Sequence, residues 1–144
     1  MKRTLLLALG LIITGIAFGQ EAKKLLTEDE VPNELLKKHF KLYPGSDMPA
    51  WCEEDGLIKA DFRFQETNVV VFYAEHNAVK EVIGLSDIPA TVERYLTKKL
   101  NIKEVESFNL VLDHKEETTY YLAMAEKDVD IRFNSDLEPE SRLD

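Results

Sequence analysis

The stretch Val31-Pro32-Asn33-Glu34-Leu35-Leu36-Lys37-Lys38-His39-Phe40-Lys41-Leu42-Tyr43-Pro44-Gly45, with Trp51 just beyond it, constrains this chain more than any other. Proline opens it, where a missing N–H costs a helix nothing, and Pro44-Gly45 closes it. Val31, Leu35, Leu36, Phe40 and Tyr43 recur at helical spacing, while Lys37, Lys38 and Lys41 form a wet face. Thr27 to Glu30 matches a capping box ahead of this helix. A second proline-opened helix begins at Ile88-Pro89, behind a Ser86-Asp87 cap, with Val92, Leu96 and Leu100 as its stripe. Val31 to Ile88 and Trp51 to Phe108 are both 57 positions apart, which predicts one unit used twice.

Between and after the helices the period changes to two. Asp55-Gly56 predicts a hairpin, followed by Ile58, Ala60, Phe62 and Phe64 alternating with Lys59, Asp61 and Arg63. Gln65 to Asn68 is expected to turn the chain into Val69–Tyr73, a run apolar on both faces. Glu75-His76-Asn77 turns again into a short strand, Ala78 to Ile83. In the second half Phe108, Leu110 and Leu112 point inward, Lys115-Glu116-Glu117 turns, and Tyr120, Leu122 and Met124 share one face. Val129, Ile131 and Phe133 then alternate with charged residues, and Asn134 to Asp144 is expected to fray. The expected fold is α+β: tandem helix-plus-antiparallel-strand repeats, about 27–84 and 85–138, with the helices packed on one face of the sheet.

Ahead of all this, Lys2 and Arg3 precede the apolar run Thr4 to Phe18, which ends in Ala17-Phe18-Gly19. A basic start, a short apolar core and small residues at −3 and −1 make residues 1–19 a secretory signal peptide. The run falls short of the roughly 20 apolar residues of a membrane span. The formal charge of −9 becomes more negative once Lys2 and Arg3 leave. Such a chain is repelled by phosphate backbones and anionic headgroups, so neither nucleic acid nor membrane insertion after cleavage is expected. Cys52 is the single cysteine, which excludes an internal disulfide. Following Trp51 in a strand, its thiol is expected to point to the open face and to be reachable by a bulky reagent.

The Val31-Pro32 helix, Tyr43-Pro44-Gly45, Trp51, Asp55-Gly56 with Ala60-Asp61-Phe62, and Ile88-Pro89 together resemble the PepSY-like, β-lactamase-inhibitor-like family of secreted, Bacteroidetes-type bacterial proteins. The resemblance implies helix-plus-sheet repeats similar to the β-lactamase inhibitory protein, a periplasmic or secreted location, and no catalytic residues to transfer. The namesake inhibitor carries disulfides that this chain cannot form.

The residues themselves point to binding. His39, His76 and His114 lack metal-ligand spacing, and His39 is read as edging the core. None of the serines sits in a nucleophile elbow, and Ser86 already serves as a helix cap. No cofactor or metal is expected. If Ile58, Phe62, Phe64, Val70 and Phe72 face the helices, then Lys59, Asp61, Arg63, Val69, Val71 and Tyr73 face outward. Lys59, Asp61, Arg63, Val71, Tyr73, Tyr121 and Arg132 are therefore the candidate recognition surface. The function expected is an exported, non-catalytic protein that binds an envelope protein or peptide through the open sheet face, as an inhibitor. The alternative is a structural, self-associating periplasmic protein, so a monomer or weak homodimer is expected.

Export should be followed by cleavage after Gly19. N-terminal sequencing of the protein secreted by a bacterial host should begin at Gln20, and a mature chain still starting at Met1 contradicts the signal-peptide reading.

Overall fold

The computed structural model describes residues 23–126 and 129–140. The signal-peptide reading, the Lys127-Asp128 turn and the last four residues lie outside them. Strand β1 (Lys23–Leu26) leads through a 3-10 turn (Glu28–Glu30) into helix α1 (Asn33–Leu42). Strands β2 (Ala50–Glu54), β3 (Leu57–Phe64), β4 (Thr67–Ala74) and β5 (Asn77–Leu85) follow. Helix α2 (Ala90–Arg94) runs on as a π turn (Tyr95–Lys99), before β6 (Val105–Asp113), β7 (Thr118–Ala125) and β8 (Val129–Phe133).

The strands form one eight-stranded sheet in the order β1 to β8, with every neighbouring pair antiparallel. This corrects the expected α+β fold of tandem helix-plus-strand repeats. The architecture is sheet-dominated, and the helices among the described residues, of 10 and 5 residues, are short insertions between strands. Two things hid this from the periodicity. Lys23–Leu26 pairs with β2 although it carries no alternation, and β5 reaches Leu85, far enough to pair with β6 and carry the sheet through the middle of the chain.

Local chemistry explains the element ends. Thr27 N–H and Oγ1 both reach Glu30 Oε1, at 3.0 and 3.1 Å, so the capping box holds the 3-10 turn and not α1. Helix α1 instead starts behind Pro32, in extended geometry, and stops at Tyr43. Gly45 follows at φ 79°, a left-handed position that suits a residue without Cβ. In α2 the expected stripe breaks at Leu100, which is 39% exposed. Its N–H bonds Tyr95 O at 3.3 Å, an i→i+5 link. That extra residue in the turn rotates Leu100 away from the sheet.

Both helices lie on one face, because a single row runs through the register Phe62, Val69, Ile83, Leu110, Tyr121 and Phe133. Under α1 pack Val31, Leu35, Tyr43, Trp51, Ala60, Phe62, Val69, Val71 and Tyr73. Under α2 pack Val92, Leu96, Phe108, Ala123, Ile131 and Phe133. The tail expected to fray does not do so as far as Glu140. It turns back along β8, with Asn134 N–H bonding Glu138 O at 2.8 Å and Glu140 N–H bonding Arg132 O at 2.9 Å.

Trp51 joins β2 to α1 and is 3% exposed. Trp51→Ala should cost about 3–5 kcal/mol of unfolding free energy, as truncation of a buried tryptophan does. Chemical denaturation measures it, and an unchanged midpoint would remove Trp51 from the core.

Candidate functional site

The face opposite the helices is the candidate site, and strand register assembles it. One row across it reads Asp61, Val70, Val82, Val111 and Tyr120. The next reads Leu25, Cys52, Lys59, Phe72, Lys80, Asp113 and Thr118. Leu122 and Arg132 pair beyond Tyr120. A register shift between Phe72 and Tyr73 lets Lys80 oppose Phe72 here while Ala78 stays on the helix side.

Of the residues expected to form the recognition surface, Lys59, Asp61, Arg63 and Arg132 lie on this face. Val71, Tyr73 and Tyr121 do not. Val71 is 0% and Tyr73 2% exposed beneath α1, and Tyr121 stacks on Phe108 at 5.5 Å between ring centroids. Val69 is likewise in the core, whereas Val70 and Phe72 face away from the helices. For β4 the turn is the pair Gln65-Glu66, with Phe64 opposite Thr67. Like the expected four-residue turn it is even, so Phe64 and Val69 share one side, and the opposite parity given to Val69–Tyr73 is what the structure corrects. For β7 the cause is turn length. Between β6 and β7 four residues turn, with Asp113 opposite Thr118, where three were expected. His114 joins that turn, its N–H bonding Val79 O at 2.9 Å, and parity along β7 reverses. Val70, Phe72, Val82 and Tyr120 were thus missed as face residues; Val70 and Phe72 follow from any even turn after Phe64, whereas Tyr120 needed the geometry of the β6–β7 hairpin.

The face has an apolar centre and a charged rim. Val70, Phe72 and Val82 are half-buried, and Val111 is 1% exposed although no described helix covers it. Leu25, 78% exposed, extends the apolar surface to the β1 edge. Lys59 Nζ lies 3.3 Å from Glu54 Oε2, and Lys80 Nζ 3.9 Å from Asp113 Oδ2. Burial acts to lower the Lys59 ammonium, but the neighbouring Cys52 sulfur and Glu54 carboxylate outweigh it and leave it raised. The Arg132 guanidinium sits 3.6 Å above the Tyr120 ring centroid and pairs with Glu140. Burial raises the Tyr120 hydroxyl against the opposing charge of Arg132. Cys52 does point to this face, but it is 3% exposed, so the expected accessible thiol is corrected to a buried one.

On the helix side the first core cluster contains a polar centre. His39 is 0% exposed and its Nδ1 lies 2.7 Å from the Tyr73 hydroxyl, while Nε2 has no partner. Burial holds the His39 imidazole down at about 4 and pushes the Tyr73 hydroxyl up. Aromatic rings surround His39, and a cation–π contact offers about 0.5–2 kcal/mol to its charged form. Taking a charge out of water costs several kcal/mol, so burial wins and the ring stays neutral.

No family model and no curated protein matches the sequence. Solved structures do match the fold. A DUF2874 family protein from Bacteroides uniformis is 16% identical with a TM-score of 0.64, over 77% of this chain and 87% of that one. A protein of Bacteroides eggerthii regarded as periplasmic is 18% identical with a TM-score of 0.64, over 77% and 86%. A BLIP-like protein from Bacteroides fragilis is 18% identical with a TM-score of 0.62, over 76% and 83%. The fold is therefore BLIP-like. The PepSY-like part of the resemblance gains no support from these structures.

Proposed function

We propose that this chain is an exported, non-catalytic protein of the bacterial envelope that holds another protein or peptide against the helix-free face of its sheet, as an inhibitor does. One observation carries the reading. Val70, Phe72 and Val82 form an apolar centre that both helices leave uncovered, ringed by Lys59, Asp61, Arg63 and Arg132. An apolar core inside a polar rim is the anatomy of a protein–protein contact. Lys59, Arg63, Lys80 and Arg132 are offset by Glu54, Asp61, Asp113 and Glu140, so this face does not share the acidity of a chain with formal charge −9. An acidic partner can approach it without net repulsion.

The signal-like first nineteen residues support export, and so does the solved protein of this fold regarded as periplasmic. The near-neutral face also favours self-association as the second reading, since a second copy of an acidic chain meets least repulsion there.

The double variant Asp61→Arg/Arg63→Glu reverses the rim at two exposed positions. Its stability should stay within about 0.5 kcal/mol of the parent, as surface changes do. Capture of an envelope protein by the mature chain should fall at least about tenfold, a loss of roughly 1.4 kcal/mol. Undiminished capture by the variant removes this face as the binding surface. A mass that doubles with concentration in the parent but not in the variant favours self-association.

A further inference from the structure

All three histidines of the chain meet where α1 contacts the sheet. His39 lies on the inner side of α1 inside a cage of Phe40, Tyr43, Trp51, Phe62 and Tyr73, with ring centroids 4.5 to 5.9 Å away. His76, in the β4–β5 turn, places Nδ1 3.4 Å from Glu34 Oε2 in the first turn of α1. His114, in the β6–β7 turn, pairs with Glu81, whose other oxygen accepts the hydroxyl hydrogen of Tyr43 at the end of α1.

We infer that α1 is a proton-operated clasp: uptake of a proton by His39 releases α1 from the sheet while the half of the fold packed on α2 stays closed. Neutral, the imidazole shares one hydrogen bond with Tyr73 and turns its other nitrogen to the rings. Protonated, it carries two N–H donors and finds one acceptor. The ionisable groups facing it are Tyr43, just past the end of α1, and Tyr73 of β4, while β2 and β3 present only Trp51 and Phe62. Glu81 of β5 is already held by Tyr43 and His114. No described carboxylate reaches the ring, so the cation must reach water, and that requires α1 to leave.

His76 and His114 sit at the two ends of α1, His76 beside Glu34 and His114 beside the Glu81 carboxylate that holds Tyr43. The cluster under α2 contains no histidine, and Leu96, 57 residues after His39, is buried there instead.

The sign follows from burial. The docked imidazole titrates at about 4 against 6.5 when free, so docking is at full strength above 6.5 and weakens as pH falls toward 4. At pH 4 the docking equilibrium should be about a hundredfold weaker from this group alone, relative to pH 7.

Amide hydrogen exchange on the full mature chain, corrected for intrinsic rates and compared at pH 7 and pH 4, tests the clasp. Protection of Leu35–Tyr43 should fall about a hundredfold in the parent while Phe108–Val111 keeps its protection. In His39→Leu the α1 amides should keep theirs at both pH values. If that variant does not fold, His39→Gln, which also takes no proton, carries the same comparison. Equal loss in parent and variant overturns the proposal, because the carboxylates would then account for it. Simultaneous loss in α1 and β6 of the parent also overturns it, since the event would be global unfolding.

Discussion

Everything in this fold depends on the lengths of its turns. Successive side chains of a strand point to opposite faces, so each turn decides which apolar residues become core. Three consecutive hairpins turn on two residues, Asp55-Gly56, Gln65-Glu66 and Glu75-His76, with φ of 53° and 79°, 51° and 65°, and 48° and 70°. Positive φ at both positions matches the twist of the flanking strands, but each non-glycine residue held there costs about 1–2 kcal/mol. Slipping β4 by one residue would exchange Val69, Val71 and Tyr73 of the α1 cluster for Val70 and Phe72 and would break the hydrogen bond between Tyr73 and His39.

This explains what the amino-acid pattern revealed and what it concealed. Helix α1 was legible because an opening proline, a buried stripe and Pro44-Gly45 agree with one another. The β2–β3 hairpin was legible because Asp-Gly is the residue pair such a turn wants. Gln65-Glu66 advertises nothing, since neither residue favours left-handed geometry. Val69 to Tyr73 is apolar at every position but the flanks, so alternation could not supply the missing parity. Lys59, Asp61, Arg63 and Arg132 were placed on the right face because charge marked their side of alternating strands, whereas Val71, Tyr73 and Tyr121 had no such mark. The sheet-dominated architecture was hidden for a related reason: four residues of β1 are too few to show a period.

The two faces then divide the work. The helices close one side over two separate apolar clusters, and the other side is left with an apolar centre among balanced charges. The α1 cluster differs from the α2 cluster in containing a neutral histidine, together with an indole N–H on Trp51 that has no partner. Unpaired buried polar groups cost about 1–3 kcal/mol each, a cost found in the α1 cluster and not in the α2 cluster among the described residues. The proposed recognition surface and the proposed acid response thus lie on opposite faces of the one sheet.

The central claim is the face assignment, and adjacent valines test it directly. Side-chain methyl relaxation by a soluble paramagnetic agent compares Val69, Val70, Val71 and Val82 within one experiment. Val69 and Val71, 3% and 0% exposed, should be protected, while Val70 and Val82 should be broadened. Broadening of Val69 and Val71 with Val70 protected would reverse the faces and contradict the account.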